Sequence, residues 1–403
     1  MDLTEANRIV VIGGGQAAAQ AIQSLRMGGY AGELTLVGEE PALPYQRPPL
    51  SKAYMKGEFA EERLYFKPAA WYEDNKIALV LSTRATAIDR TERKVNLEHG
   101  GHLDYDALII ATGSRPRALL IEGSDLEHVY ALRGLADVER IRPQMVAGRS
   151  MVIVGAGYIG LEAAAVLVKQ GHRVKVIEML DRVLARSVAE PVSRFYEKCH
   201  REAGVEILLN TGTDRFEGDG RIERVIDGDG NAHAADAVIV GIGVVPNVEL
   251  AMECGLECND GILVDEFART DDPDIFAAGD CTNHPNALLD RHLRLESVQN
   301  AVDQARCIAN VLLDKPAPYA EVPWFWSDQY DLKLQMAGIP GPDDQVVIRG
   351  DMDSRSFSVF YLKLGRVTAV NAINSGSEYV RGRKWIAEGR VVDPKRLADT
   401  SIP

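Results

Sequence analysis

Two glycine-rich segments carry the strongest chemical signal in this 403-residue chain. The first, Gly13-Gly14-Gly15-Gln16-Ala17-Ala18, is a G-x-G-x-x-A pattern through Gly13, Gly15 and Ala18. The second, Gly155-Ala156-Gly157-Tyr158-Ile159-Gly160, is G-x-G-x-x-G through Gly155, Gly157 and Gly160. A turn without Cβ atoms lets backbone amides approach a pyrophosphate, and a helix starting there adds N–H donors and partial positive charge. An acid follows each segment, Glu39 and Glu178. The spacing is close to the roughly 20 residues at which a carboxylate can hydrogen-bond an adenosine ribose. A carboxylate at 178 repels a 2′-phosphate and so favours NADH over NADPH. Arg182 and Arg186 behind it read as a basic face or as pyrophosphate contacts.

The elements that would position these groups repeat. Each glycine segment follows a β-branched run (8–12 and 151–154) and precedes an Ala/Leu-rich helical pattern (17–27 and 161–170). Each helical pattern stops near glycine, Gly28-Gly29 or Gly171, and a second strand follows at 33–37 or 173–177. This predicts two βαβ nucleotide-binding units with right-handed parallel crossovers. Three further apolar runs, 108–110, 237–240 and 275–278, end in small-residue turns. The spacing implies that the second unit is inserted in the first. From about Pro323 the pattern changes to short alternating strands at 345–349, 357–362 and 367–370, an antiparallel sheet, with Pro316, Pro318 and Pro323 at the boundary. The fold class expected is α/β, with two Rossmann-like domains and a C-terminal α+β domain. The boundaries are 1–116 with 242–320, 117–241, and 321–403.

Composition narrows the function. Hydrophobic residues at 46% and charged residues at 26% describe a globular chain. A net charge of −14, from 45 basic and 59 acidic residues, argues against nucleic acid as a partner. No apolar run reaches the roughly 18 residues that span a bilayer, so no membrane role is expected. The opening Met-Asp-Leu-Thr-Glu-Ala-Asn has neither the basic nor the apolar region of a signal peptide. Five cysteines, none before residue 199, form no disulfide framework, and the expected location is the cytoplasm.

The strand ends Ala111-Thr112-Gly113 and 275–280, together with 48–52 (Pro-Pro-Leu-Ser-Lys), 157–162 (Gly-Tyr-Ile-Gly-Leu-Glu), 296–301 (Glu-Ser-Val-Gln-Asn-Ala) and 323–329 (Pro-Trp-Phe-Trp-Ser-Asp-Gln), add a resemblance. The whole chain resembles the glutathione-reductase-like flavoproteins. Among them it is similar to the NADH-dependent ferredoxin reductases of bacterial oxygenase systems. That resemblance implies FAD in the first domain and NADH in the inserted one. It implies that Gly13, Gly15 and Ala17 line the FAD pyrophosphate and that Glu39 takes the adenosine ribose. Ala85 would touch the adenine side, and Arg133 the pyrophosphate. Asp280 would bind the ribitol, Val298 would offer its amide to the flavin pyrimidine edge, and Ala111, Thr112 and Gly113 would complete the site. On the NAD side stand Gly155, Gly157, Ile159, Gly160, Glu178 and Gly243. Lys52 is implied beside the isoalloxazine, paired with Glu162; these two are the candidate catalytic residues.

The segment from Glu39 to Tyr54 lacks cysteine, which speaks against disulfide and cysteine-sulfenic chemistry. No metal site is expected, and Cys254 and Cys258 read as unrelated thiols. Electrons reaching a flavin must then leave to a partner, and the resemblance implies an acidic 2Fe–2S ferredoxin feeding a monooxygenase or dioxygenase. Candidate docking groups are Arg306 and Trp326, with Arg291, Arg294, Arg381, Arg383 and Lys384 as basic neighbours and Trp324 beside them. A monomer or weak dimer is expected. The competing readings are a rubredoxin reductase, an NADH oxidase or diaphorase, and a sensor like apoptosis-inducing factor.

Overall fold

The computed structural model describes residues 6–402. The chain divides into two compact units, one of residues 1–47, 60–115 and 245–323, the other of 48–59, 116–244 and 324–403.

The first unit is built on a five-stranded parallel sheet in the order Ile275–Ala277, Ala107–Ile110, Arg8–Ile12, Glu33–Val37, Ile77–Val80. Its strands are mainly apolar, with Arg8, Glu33 and Thr35 the polar exceptions, because helices or loops cover both faces. Ile9 and Val11 pack into the cluster that includes the helices Gln16–Met27 and Val298–Leu312, while Val10 and Ile12 pack into a cluster on the other face. The glycine strand Arg8–Ile12 lies between its βαβ partner and a strand from later in the chain. That is the topological switch point, where a crevice opens at the carboxyl ends of the strands.

The second unit repeats this order in the parallel sheet Glu206–Leu208, Arg173–Ile177, Ser150–Val154, Ala237–Val240, Val129–Ala131. Ser150–Val154 holds the same switch-point place. The helices predicted after the two glycine turns are Gln16–Met27 and Tyr158–Lys169. The unit also contains a five-stranded antiparallel sheet, Trp324–Gln329, Leu332–Gly338, Arg366–Ile373, Ser356–Lys363, Gln345–Asp351. The alternation at 345–349, 357–362 and 367–370 becomes three of these strands, and two more precede them. Phe195, on the helix Glu190–Glu202, meets Phe357 of this sheet edge-on at 4.9 Å.

Gly13 shows why the first turn needs glycine. Its φ is +129°, and a Cβ there would stand 2.1 Å from the carbonyl oxygen of Ala111. Gly13→Ala is therefore expected to lower stability by at least about 2 kcal/mol, from left-handed strain and displaced backbone together. Urea unfolding followed by circular dichroism measures this, and an unchanged midpoint would contradict it.

Candidate functional site

In the first unit the expected residues collect at the carboxyl end of the sheet. The Gly13 amide donates to Val37 and the Ala111 amide to Ile12, both at 2.8 Å, so the glycine turn and the 111–113 strand end are neighbours. Thr112 Oγ1 donates to the Asn247 carbonyl at 2.7 Å, and Asn247 returns a bond to Thr112 at 2.9 Å. Positions where Cβ atoms of Gly14 and Gly15 would stand meet nothing within 4 Å, so the turn keeps an open front for an anion. A Cβ on Gly279 would lie 3.3 Å from Ala17 and 3.7 Å from Ala301, which brings the 275–280 turn beside the first helix. Ser114 Oγ donates to Asp280 at 2.8 Å, and Gln304 Oε1 accepts from the Gly279 amide at 2.8 Å and from Thr282 at 3.0 Å. Val298 opens its helix, and Ser297 caps it by accepting from the Asn300 amide at 3.1 Å. Glu39 is exposed just past its strand, and Ala85 is half-buried at the start of Ala85–Asp89. Ser114, Gln304 and Arg47, which is ion-paired with Glu40 at 2.5 Å, were not singled out from the sequence. Arg47 had a signal, since it stands directly before the 48–52 segment.

The second cradle is packed more tightly. Gly160 has no Cβ because one would press 2.2 Å from the Gly155 carbonyl; helix and strand meet there. The matching position in the first cradle, Ala18, tolerates a methyl at 0% exposure. Glu178 follows its strand and already engages the cradle, accepting from the Ala156 amide at 2.7 Å and from Leu180 at 2.9 Å. Ile159 is half-buried in the first helical turn, and Gly243 lies in the open loop after Ala237–Val240 with no atom near its missing side chain. Arg182 is spent on the carbonyls of Val188 and Ala185, both at 2.9 Å. Arg133 also lies in the second unit, where the Asp137 carboxylate accepts from its amide and from that of Gly134 at 2.8 Å.

Lys52 and Glu162, 110 residues apart, are joined at 2.6 Å. Glu162 sits one turn into the helix Tyr158–Lys169 and is 4% exposed, so it is not a solvated dipole acid. Its Oε2 also accepts from Ser51 Oγ at 2.5 Å, and its Oε1 from Ser327 Oγ at 2.6 Å. A buried carboxylate needs this number of donors. Gln329 and His200 continue the polar contacts behind Ser327.

Residues 7–305 match the family described as pyridine nucleotide-disulphide oxidoreductase, and residues 324–403 match the one described as reductase C-terminal. The chain belongs to the pyridine nucleotide-disulphide oxidoreductase family. It is 44% identical over 395 residues to rhodocoxin reductase of Rhodococcus erythropolis, across 98% of this chain and 92% of that one. It is 41% identical over 403 residues to putidaredoxin reductase of Pseudomonas putida, across 98% and 96%. The solved covalent putidaredoxin reductase–putidaredoxin complex superposes with a TM-score of 0.96 at 41% identity, covering 98% of this chain and 97% of the other. The protein is an oxidoreductase whose cofactors are FAD and NADH. The residues fit both: two open amide-lined turns, each at a switch point and each followed by an acid.

The name of the family speaks of a disulphide, yet all five cysteines here are free and burial raises every thiol. Cys258 and Cys307 are pushed up to about 11, which leaves little thiolate at neutral pH. Cys281 is fully buried against the carbonyls of Ala278 and Ile110. Several of the basic docking candidates have acidic neighbours: Arg294 with Asp260 and Glu296, Arg306 with Asp303 at 3.4 Å, Arg381 with Glu378 at 3.3 Å, and Lys384 with Glu388 at 3.8 Å. Trp326 is half-buried and tilted against Trp324 with ring centroids 5.8 Å apart. Among the described residues no helix is long and apolar enough to cross a membrane.

His200 and His284 are 0% and 1% exposed, and burial lowers both to about 4. The folded value lies below the unfolded value of about 6.5, so the stability contribution is complete above that pH and is lost as pH falls towards 4. Each can account for up to about 3 kcal/mol. The thermal midpoint should therefore drop steadily between pH 6.5 and 4, and His200→Gln should flatten that slope. A slope identical in the variant would contradict the assignment for His200.

Proposed function

We propose that this protein takes hydride from NADH and passes single electrons to an acidic 2Fe–2S ferredoxin, which in turn supplies a monooxygenase or dioxygenase. The observation that carries the reading is full-length similarity, at 41–44% identity, to reductases named for their iron–sulfur partners. The solved complex supports it too, since there a reductase of the same fold is joined to putidaredoxin. The raised thiols support it from the other side, since they leave no internal disulfide relay to receive electrons.

In this reading the first unit holds FAD. The amides around Gly13, Gly15 and Ala17 take the pyrophosphate, with Ala111, Thr112 and Gly113 beside them. Glu39 takes the ribose, Ala85 the adenine side, and Arg133 adds charge to the pyrophosphate. Asp280, oriented by Ser114, takes the ribitol. The second unit holds NADH at Gly155, Gly157, Ile159, Gly160 and Gly243, with Glu178 on the ribose. When bound, the flavin accepts two electrons from the nicotinamide and can release them singly. The Ser297-capped helix would offer the Val298 amide and its dipole to negative charge on the pyrimidine edge of the flavin. Lys52 adds a cation, which Glu162 holds in place. Arg306 and Trp326 belong to the docking surface, and the cytoplasm is the compartment.

Glu178 sets the coenzyme preference by repelling a 2′-phosphate, and Arg182 is already committed to backbone carbonyls. Glu178→Ala should reduce the ratio of kcat/KM for NADH over NADPH by about tenfold. An undiminished ratio would remove Glu178 from the ribose. The function itself is tested by the visible spectrum of the purified protein and by NADH-dependent cytochrome c reduction. A yellow protein whose rate rises many-fold on adding a 2Fe–2S ferredoxin is expected. A colourless protein, or no acceleration by any ferredoxin tried, would overturn the proposal.

A further inference from the structure

Behind the Lys52–Glu162 pair runs a line of buried polar groups that binding of the two cofactors does not use. It starts at Ser327, which is 0% exposed on the strand Trp324–Gln329. In that strand Ser327 and Gln329 face inward and Asp328 outward. Gln329 Nε2 donates to Ser327 Oγ at 3.1 Å, and Gln329 Oε1 lies 2.8 Å from His200 Nε2. His200 Nδ1 lies 2.9 Å from the Tyr330 hydroxyl. All these residues belong to the second unit.

The donor inventory gives this line a direction. The Glu162 carboxylate only accepts, which turns the Gln329 carbonyl towards His200 Nε2; the imidazole proton therefore sits on Nε2, and the bare Nδ1 accepts from the Tyr330 hydroxyl. The amide NH2 then points at Ser327, and the single serine hydrogen goes to Glu162 Oε1. Every donor along the line therefore faces the carboxylate. Burial keeps His200 neutral, as this order requires. Reversing the line would need a protonated Glu162, which would set an uncharged acid against the Lys52 ammonium at 2.6 Å.

We propose that Ser327, Gln329 and His200 are positioning residues for the Lys52–Glu162 pair. They hold Oε1 of Glu162 so that Oε2 stays presented to Lys52 Nζ, and through it they fix where the Lys52 cation stands. The step that depends on that cation is sensitive to small displacements, since catalytic geometry lost by about 1 Å costs on the order of a hundredfold. This inference rests on the function proposed above, with Lys52 beside the flavin.

The test uses the FAD-loaded, full-length protein with NADH as donor and ferricyanide as acceptor, so that the identity of the ferredoxin does not enter. Ser327→Ala should lower turnover at saturating NADH by about tenfold, the loss expected when a hydrogen bond to a charged group is removed. Its KM for NADH should stay within about twofold of wild type. Ser327→Thr, which keeps the hydroxyl, should restore most of the rate, and Gln329→Leu should fall between. A second readout needs no turnover. In 15N-histidine spectra, the resonances lost in His200→Gln should report a neutral Nε2–H ring. Glu162→Gln should shift those resonances if the line is continuous.

Wild-type turnover in Ser327→Ala would overturn the proposal. So would a loss that threonine does not rescue, or a His200 signal indifferent to Glu162→Gln. Should Ser327→Ala not fold, Gln329→Leu and the histidine spectra decide. If the wild-type protein itself fails to oxidise NADH with ferricyanide, the functional reading fails and this inference falls with it. If it succeeds and the variants match it, the positioning role alone is wrong.

Discussion

A carboxylate with 4% of its surface exposed cannot stand alone, and separate segments of the second unit meet to satisfy Glu162. Its donors come from two stretches far apart in the chain, Ser51 and Lys52 from 48–59 and Ser327 from the first strand of the C-terminal sheet, and they meet it on a third, the second nucleotide-binding helix. This contact helps explain why residues 48–59 belong with the second unit although the chain on both sides of them belongs to the first. Removing any one donor would leave part of a charge desolvated. The cost falls on the alignment of three chain segments rather than on one bond.

The two parallel sheets solve the same problem twice with different tolerances. Both put a glycine strand between its βαβ partner and a later strand, and both leave the turn open at the carboxyl end. In the second cradle the helix presses so closely on the strand that position 160 admits no side chain, whereas position 18 of the first holds a buried methyl. The acids differ as well. Glu178 is already drawn in by the Ala156 amide, so it is oriented before any ribose arrives, while Glu39 is exposed beyond its strand. Preorganisation of this kind reduces the entropy that binding must overcome.

Charge and thiol chemistry set the route for electrons in the proposed reaction. Burial raises all five thiols, so none supplies a ready nucleophile or a partner for exchange. Pairing of Arg294, Arg306, Arg381 and Lys384 with nearby acids means that a basic docking face on a chain of net charge −14 must come from the summed field of partly compensated groups. Such a field is salt-sensitive and short in reach.

The linear chain determined its local elements and their chemistry. Glycines at 13, 15, 155, 157 and 160, β-branched runs before them and acids after them specify strand, turn, helix and strand, because those signals act over a few residues. The antiparallel character of the last stretch is legible for the same reason, in the alternation at 345–349 and 357–362. The Lys52–Glu162 pair could be named from a resemblance, but not its geometry. Ser51, Ser327 and Gln329 stand in the 48–52 and 323–329 segments that carry the resemblance, yet nothing in the sequence gives them a role, and His200 has no signature at all, since a serine or histidine in a strand or helix looks alike whether it is solvated or buried. Ser114 and Gln304, which orient the turn carrying Asp280, were invisible on the same grounds. Only tertiary structure decided these, because burial and directional hydrogen bonding are properties of segments brought together in space, from 22 residues apart for Gln304 and Thr282 to 166 for Ser114 and Asp280.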